Sequence, residues 1–200
     1  MSRDTIGGHT LAATRTATGR AAKAEQTRQL VLDAARRLFT EHGYDAASLQ
    51  MIADEVGLTK AAVYYYFPTK IEILRAVIEV GVNQFDAVIT DAATKTGRRA
   101  QSRHLIEGFI DVLISTRHMA GPKNSDPAIQ REVDRSGQIQ ELQRRGLQVL
   151  FGDAPTPEQR VAYQFVLSVP EIMTALTDLG DEELRSALVT VCLRLHRTVS

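Results

Sequence analysis

The stretch from Gly43 to Lys70 concentrates more helix start and stop signals than any other part of the chain, and it leaves room for short helices only. Ser48 is a good N-cap, because its hydroxyl oxygen can accept from an amide that the first helical turn leaves free. The helix it opens carries Leu49, Ile52, Ala53 and Val56 on its inner face and ends at Gly57, where the absence of a Cβ tolerates positive φ. Thr59 caps a second short helix. In it Val63 aligns with Tyr66 and Phe67 at i+3 and i+4, which leaves Lys60, Ala61, Tyr64 and Tyr65 on the opposite side. Pro68 stops that helix, and Thr69-Lys70-Ile71-Glu72 is a capping box that opens a longer one. Two short helices across a tight turn, handing into a third, make a helix-turn-helix.

The flanking segments are helical too. From Lys23 to His42 the residues Leu30, Val31, Ala34, Ala35, Leu38 and Phe39 recur at helical spacing, and Gly43 stops the run. The helix after Thr69 continues through Ile73, Leu74, Val77, Ile78, Gly81, Phe85, Val88 and Ile89 to about Lys95. Past a break at Gly97-Arg98-Arg99, helical spacing returns over about 102–119, 127–134, 136–151, 157–178 and 181–197, with Pro170 expected to kink its helix. No run alternates with the period of a strand. The expected fold class is therefore all-α, an N-terminal three-helix helix-turn-helix domain joined by a long helix to a second helical domain. Residues 1–22 lack helical periodicity and large apolar side chains apart from Ile6 and Leu11, so they read as a flexible basic leader. Residues 23–70 form the helix-turn-helix domain and residues 71–200 the remainder.

Composition narrows the function classes. With 44% hydrophobic residues the chain can build a proper core, and its net charge of +0 gives no general attraction to polyanions. The basic excess is local: Arg3, Arg15, Arg20 and Lys23 face only Asp4 in the leader. A single cysteine, Cys192, can form no internal disulfide and suits a reducing cytoplasm. No stretch is apolar enough to span a bilayer. The histidines at 9, 42, 104, 118 and 196 show no metal-ligand spacing, no glycine-rich phosphate loop is present, and Cys192 sits in an apolar stripe. No enzyme activity, cofactor or metal is expected.

From about Glu25 to Leu74 the sequence resembles the DNA-binding domain of the TetR family of bacterial transcriptional regulators. The resemblance is carried by Leu38-Phe39, the Gly43-Tyr44 step, Leu49 with Ile52-Ala53, Val56-Gly57-Leu58-Thr59-Lys60, and Tyr64 with Tyr66-Phe67-Pro68-Thr69-Lys70. Three positions depart from the family pattern: Ala61 replaces a common glycine, Ala62 a small hydroxyl residue and Tyr65 a histidine. The resemblance implies a cytoplasmic homodimer that binds double-stranded DNA at an inverted repeat, most simply as a repressor. A rival reading is a TetR-like protein-interaction module without operator binding.

DNA recognition needs groups that fix register on phosphates and groups that read base edges. Ser48, Gln50, Thr59 and Lys70 are candidates for the first task, Lys70 by its resemblance to the family's phosphate-binding lysine. Lys60, Ala61, Tyr64 and Tyr65 are candidates for groove contacts, with guanine as the natural partner of Lys60. Val161, Phe165, Leu167, Val169, Ile172, Met173 and Leu176, with Leu184, Leu188, Val191, Cys192 and Leu195, on the last two helices offer an apolar surface for the homodimer. The resemblance further implies a pocket for a small-molecule effector of unknown identity, for which Phe85, Phe109, Leu113, His118, Met119, Tyr163, Phe165 and Met173 are the candidate lining, with Arg117 or His118 as a polar anchor.

Overall fold

The computed structural model describes residues 8–117, 131–132 and 137–200, with side chains from residue 19 onward, and the described residues contain helices and no strand. Helix α1 (Gly8–His42) ends at Gly43, whose φ of 84° turns the chain back. Helices α2 (Leu49–Glu55) and α3 (Lys60–Tyr66) follow, then the long α4 (Lys70–Thr94). Val31, Ala35 and Phe39 of α1, Ile52 and Ala53 of α2, Val63 of α3, Phe67 after it, and Ile73 of α4 are buried together in the first core.

The second core lies farther along α4. It is built from α5 (Arg98–Ser115), α6 (Gln138–Phe151), α7 (Pro157–Leu167), α8 (Val169–Ala175) and α9 (Asp181–Val199), packed on Val82, Ile89 and Ala92 of α4. Ile78 packs against both cores, so α4 belongs to each half.

Several boundaries differ from those expected from sequence. The leader is helical from Gly8, ahead of the apolar stripe that suggested a start at Lys23. Alanines at 12, 13, 17, 21 and 22 favour helix without needing burial, and a search for apolar periodicity does not register them. Within α1, Leu30 is exposed and Leu32 is buried, because Leu32 lies one heptad before Phe39 on the packed face. Helix α5 starts at Arg98 and ends at Ser115 rather than spanning 102–119. The helix expected over 157–178 is two: Ser168 separates α7 from α8, and Pro170 occupies the first turn of α8, where its missing N–H costs nothing. Of the helix expected over 127–134 only residues 131–132 lie within the described residues. Residues 1–7 of the leader lie outside them.

Candidate nucleic-acid interface

The turn between α2 and α3 is held by backbone geometry that the sequence requires. Gly57 takes φ 67°, Leu58 N donates to Ala53 O at 2.8 Å and Gly57 N donates to Asp54 O at 3.2 Å. These are the paired bonds of a Schellman motif, and they satisfy the last carbonyls of α2. The starts of α2 and α3 are both capped as expected. Ser48 Oγ accepts from Met51 N at 3.1 Å, and Thr59 Oγ1 accepts from Ala62 N at 3.2 Å. At the start of α4, Glu72 N donates to Thr69 Oγ1 and Thr69 N donates to Glu72 Oε2 at 3.0 Å, completing the capping box.

Helix α3 is amphipathic in the expected sense. Val63 is fully buried, Phe67 nearly so, and Tyr66 packs partly against the first core. The opposite side is open: Lys60 and Ala61 are exposed, Tyr64 is 44% exposed and Tyr65 82%. The Lys60 ammonium lies 5.9 Å from the centroid of the Tyr64 ring, and Tyr65 stands edge-on to Tyr66 at 5.2 Å. Cation, phenols and methyl thus share one solvent-facing strip. Ser48 and Gln50 are exposed at the start of α2, where the Gln50 amide donates to Asp54 Oδ1 at 2.7 Å.

The Lys70 ammonium is held within the fold rather than free in solvent. Its ammonium donates to the carbonyls of Tyr44, Ala47 and Asp45 at 2.8, 3.0 and 3.3 Å, and it sits 4.3 Å from the centre of the Tyr44 ring. All three N–H bonds are engaged. The reason is its place in the fold: the start of α4 abuts the loop between α1 and α2, whose carbonyls need donors. Arg28, absent from the sequence-based candidates, stacks 5.0 Å above Phe67 at the end of α3. It lies on α1, distant in sequence, so no local pattern links it to the site.

The second half holds an apolar cavity of about 210 Å³, open on one side and lined by α4, α5, α6 and α7 with Pro170 of α8. Of the candidate lining, Phe85, Phe109, Leu113 and Tyr163 are in its wall. Phe165 is not: it is 60% exposed on the outer face of α7. Met173 is buried in the second core without reaching the cavity. His118 and Met119 lie outside the described residues. Arg117 turns away from the cavity, donating to Leu176 O at 2.5 Å, Leu179 O at 2.8 Å and Asp181 Oδ1 at 3.1 Å, because the end of α8 presents unpaired carbonyls there. Gln143 and Gly146 of α6 line the cavity and were missed. The only signal for them was the spacing of Leu142, Gly146 and Leu150, which marks an inward face without distinguishing cavity from core.

The family model described as bacterial regulatory proteins, tetR family, matches residues 31–77, the stretch from the α1 core to the first turns of α4. Over this domain the chain is similar to the TetR family. A curated relative, the HTH-type transcriptional regulator SrpR of Pseudomonas putida, is 47% identical over 58 residues, covering 29% of this chain and 27% of that protein. The chain therefore spans about a quarter of that relative's length (27%). Among solved structures, a TetR-family transcriptional regulator from Bordetella parapertussis 12822 superposes with a TM-score of 0.67 at 16% identity, covering 86% of this chain and 94% of that one. The TetR-family regulator PfmR from Thermus thermophilus superposes with a TM-score of 0.60 at 23% identity, covering 84% and 94%. The fold of these structures thus extends over the second half. No described helix is long and apolar enough to cross a membrane, and the described residues contain no cluster of side chains suited to a metal ion.

One more surface of this TetR-type fold stands out. Val161, Phe165, Ile172 and Val191 are exposed on α7, α8 and α9, while their neighbours Val169, Met173, Leu184, Leu188 and Cys192 are buried within the chain. The apolar side chains expected to form a dimer surface therefore divide between an outer face and the second core.

Proposed function

We propose that the protein is a sequence-specific DNA-binding transcriptional regulator, with residues 23–70 as the reading unit and 71–200 as the regulatory half. The observation that carries this reading is the open strip of α3, where Lys60, Tyr64 and Tyr65 face solvent on a helix whose other side is locked into the core. Polar and aromatic groups on the free face of a capped second helix suit a major groove, with the amine toward guanine and the rings toward sugar or thymine methyl. Ser48, Gln50, Thr59 and Ala61 border the strip and serve as phosphate or methyl contacts. Lys70 acts indirectly, by holding the loop that positions α2.

One reading unit covers few base pairs, so the working form is a homodimer on an inverted repeat. The exposed apolar face of α7 to α9 supports that assembly, since a patch of this kind is what a buried interface core needs. Two units half-turned about that face read half-sites spaced by about 34–36 Å or a multiple. A dimer seated on its operator excludes polymerase, which makes repression the simplest output, and access to the chromosome places the protein in the cytoplasm. The cavity takes a small-molecule effector. Its walls include α4, whose first turn is tied by Lys70 to the α1–α2 loop, so an occupant that prefers one setting of α4 changes DNA affinity by its preference ratio.

Selection of genomic fragments with the purified full-length protein tests the reading. Recovery of an inverted repeat, footprinted on both half-sites, is the expected result. Equal affinity for that repeat and for a scrambled duplex at the same salt concentration would overturn it.

A further inference from the structure

The regulatory half can be read one step further, to the chemical class of its effector, on the understanding that the cavity is the effector site. Its wall is aliphatic and aromatic, with Ile89 on α4, Ile106 and Phe109 on α5, and Leu142 on α6. Among the described residues no carboxylate, guanidinium, ammonium or imidazole lines it. A charged ligand would give up its hydration there without a counter-charge, which low-dielectric surroundings penalise heavily.

Two polar groups interrupt the apolar wall. Gln143 is exposed and marks the solvent side. The Tyr163 phenol is the buried one. Its hydroxyl sits where a Cβ on Gly146 would come within 2.6 Å, so the glycine on α6 is what lets the phenol lie against that helix. No hydrogen bond from the described residues reaches the hydroxyl, which keeps some access to the cavity and so is free to pair with a guest. Burial pushes its pKa up to about 12, so it remains a neutral group that can donate one hydrogen bond and accept another.

The size of the cavity suits a small guest. The volume is about 210 Å³, and an apolar cavity of about 150 Å³ suffices for benzene. One ring with a short substituent fits.

We propose that the cavity takes an uncharged, mainly apolar molecule of one ring and a short substituent, whose single hydroxyl or carbonyl oxygen hydrogen-bonds the Tyr163 hydroxyl. Specificity then comes from the unpaired phenol: a guest lacking the oxygen leaves it unsatisfied, and a guest carrying a full charge is rejected by the wall.

Calorimetric titration of the full-length protein with 4-ethylphenol, ethylbenzene and 4-ethylbenzoate at about pH 7.5 tests this. The expected order is 4-ethylphenol at least about tenfold tighter than 4-ethylbenzoate, which is one decade of Kd, and clearly tighter than ethylbenzene. Tyr163→Phe is expected to bring 4-ethylphenol down to the affinity of ethylbenzene and to leave ethylbenzene unchanged. The comparison of phenol with hydrocarbon in the unmodified protein stands even if that variant fails to fold. A carboxylate that binds as well as the phenol, a hydrocarbon that equals it, or no binding of any probe at millimolar concentration overturns the proposal. Anisotropy on the selected operator, measured separately, distinguishes the two failures. Operator binding without probe binding removes the ligand class and leaves the regulator, whereas the expected probe order without operator binding supports the ligand class and removes the regulator.

Discussion

An ammonium has three protons to give, and Lys70 gives all of them to the carbonyls of Tyr44, Asp45 and Ala47. Hydrogen bonds to a charged donor contribute about 1.5–3 kcal/mol each at best, less where water competes, as it does here. Lys70→Met is therefore expected to destabilise the protein by about 1–3 kcal/mol in urea unfolding, while leaving the salt dependence of DNA binding nearly unchanged. A free phosphate contact would show the reverse, a drop of about one charge in the salt slope with stability intact. Tyr65 is the contrasting residue. At 82% exposure its replacement by alanine should change stability by about 0.5 kcal/mol or less, yet weaken binding to the selected operator in an anisotropy titration.

His196 carries the clearest pH response. It is buried beside the Phe151 ring, 5.0 Å between centroids, and its pKa lies below the ordinary 6.5, first from lost hydration and then from the nearby Arg98. The folded state binds the proton less readily than the unfolded chain. Stability is thus complete above pH 6.5 and falls as acidification passes through that value toward the lower folded pKa. Tm measured downward from neutral pH should decline in that window, and His196→Phe should flatten the decline.

At the scale of elements, the same substitution has opposite signs in two places. Gly57 sits at φ 67° with open space around it, so Gly57→Ala meets no clash and its cost is conformational, about 1–2 kcal/mol. Gly19 lies within α1, also with nothing near it, and there alanine should stabilise by about 0.5–1 kcal/mol. Chemical unfolding of the two variants checks both signs. Elements are also tied across the cavity: the Arg145 guanidinium on α6 pairs with Asp86 and donates to Thr90 Oγ1 at 3.0 Å, both on α4. Through that pair a shift of α6 around the proposed guest would reach α4 directly.

For the whole molecule, the outer apolar face of α7 to α9 is the surface on which the proposed dimer rests. Phe165 and Val191, 60% and 61% exposed, contribute little to the isolated fold. Phe165→Asp with Val191→Asp is expected to convert a dimer to monomer in sedimentation analysis without loss of helicity, and to weaken binding to the full inverted repeat more than to a single half-site. Retention of a dimer would move the interface to another face.

The helix-turn-helix was legible in the sequence because its signals are local. Ser48, Gly57, Thr59 and the Thr69–Glu72 box act on backbone atoms a few residues away, and the alternation of Val63 and Phe67 against Tyr64 and Tyr65 assigns the faces of α3 whatever packs on it. Only the tertiary structure decided that Lys70 is spent on a distant loop, that Leu32 rather than Leu30 enters the first core, and that Phe165 points outward while Tyr163 lines a cavity. Those outcomes depend on which surfaces meet, and an apolar or cationic side chain carries the same local pattern whichever neighbour it finally satisfies.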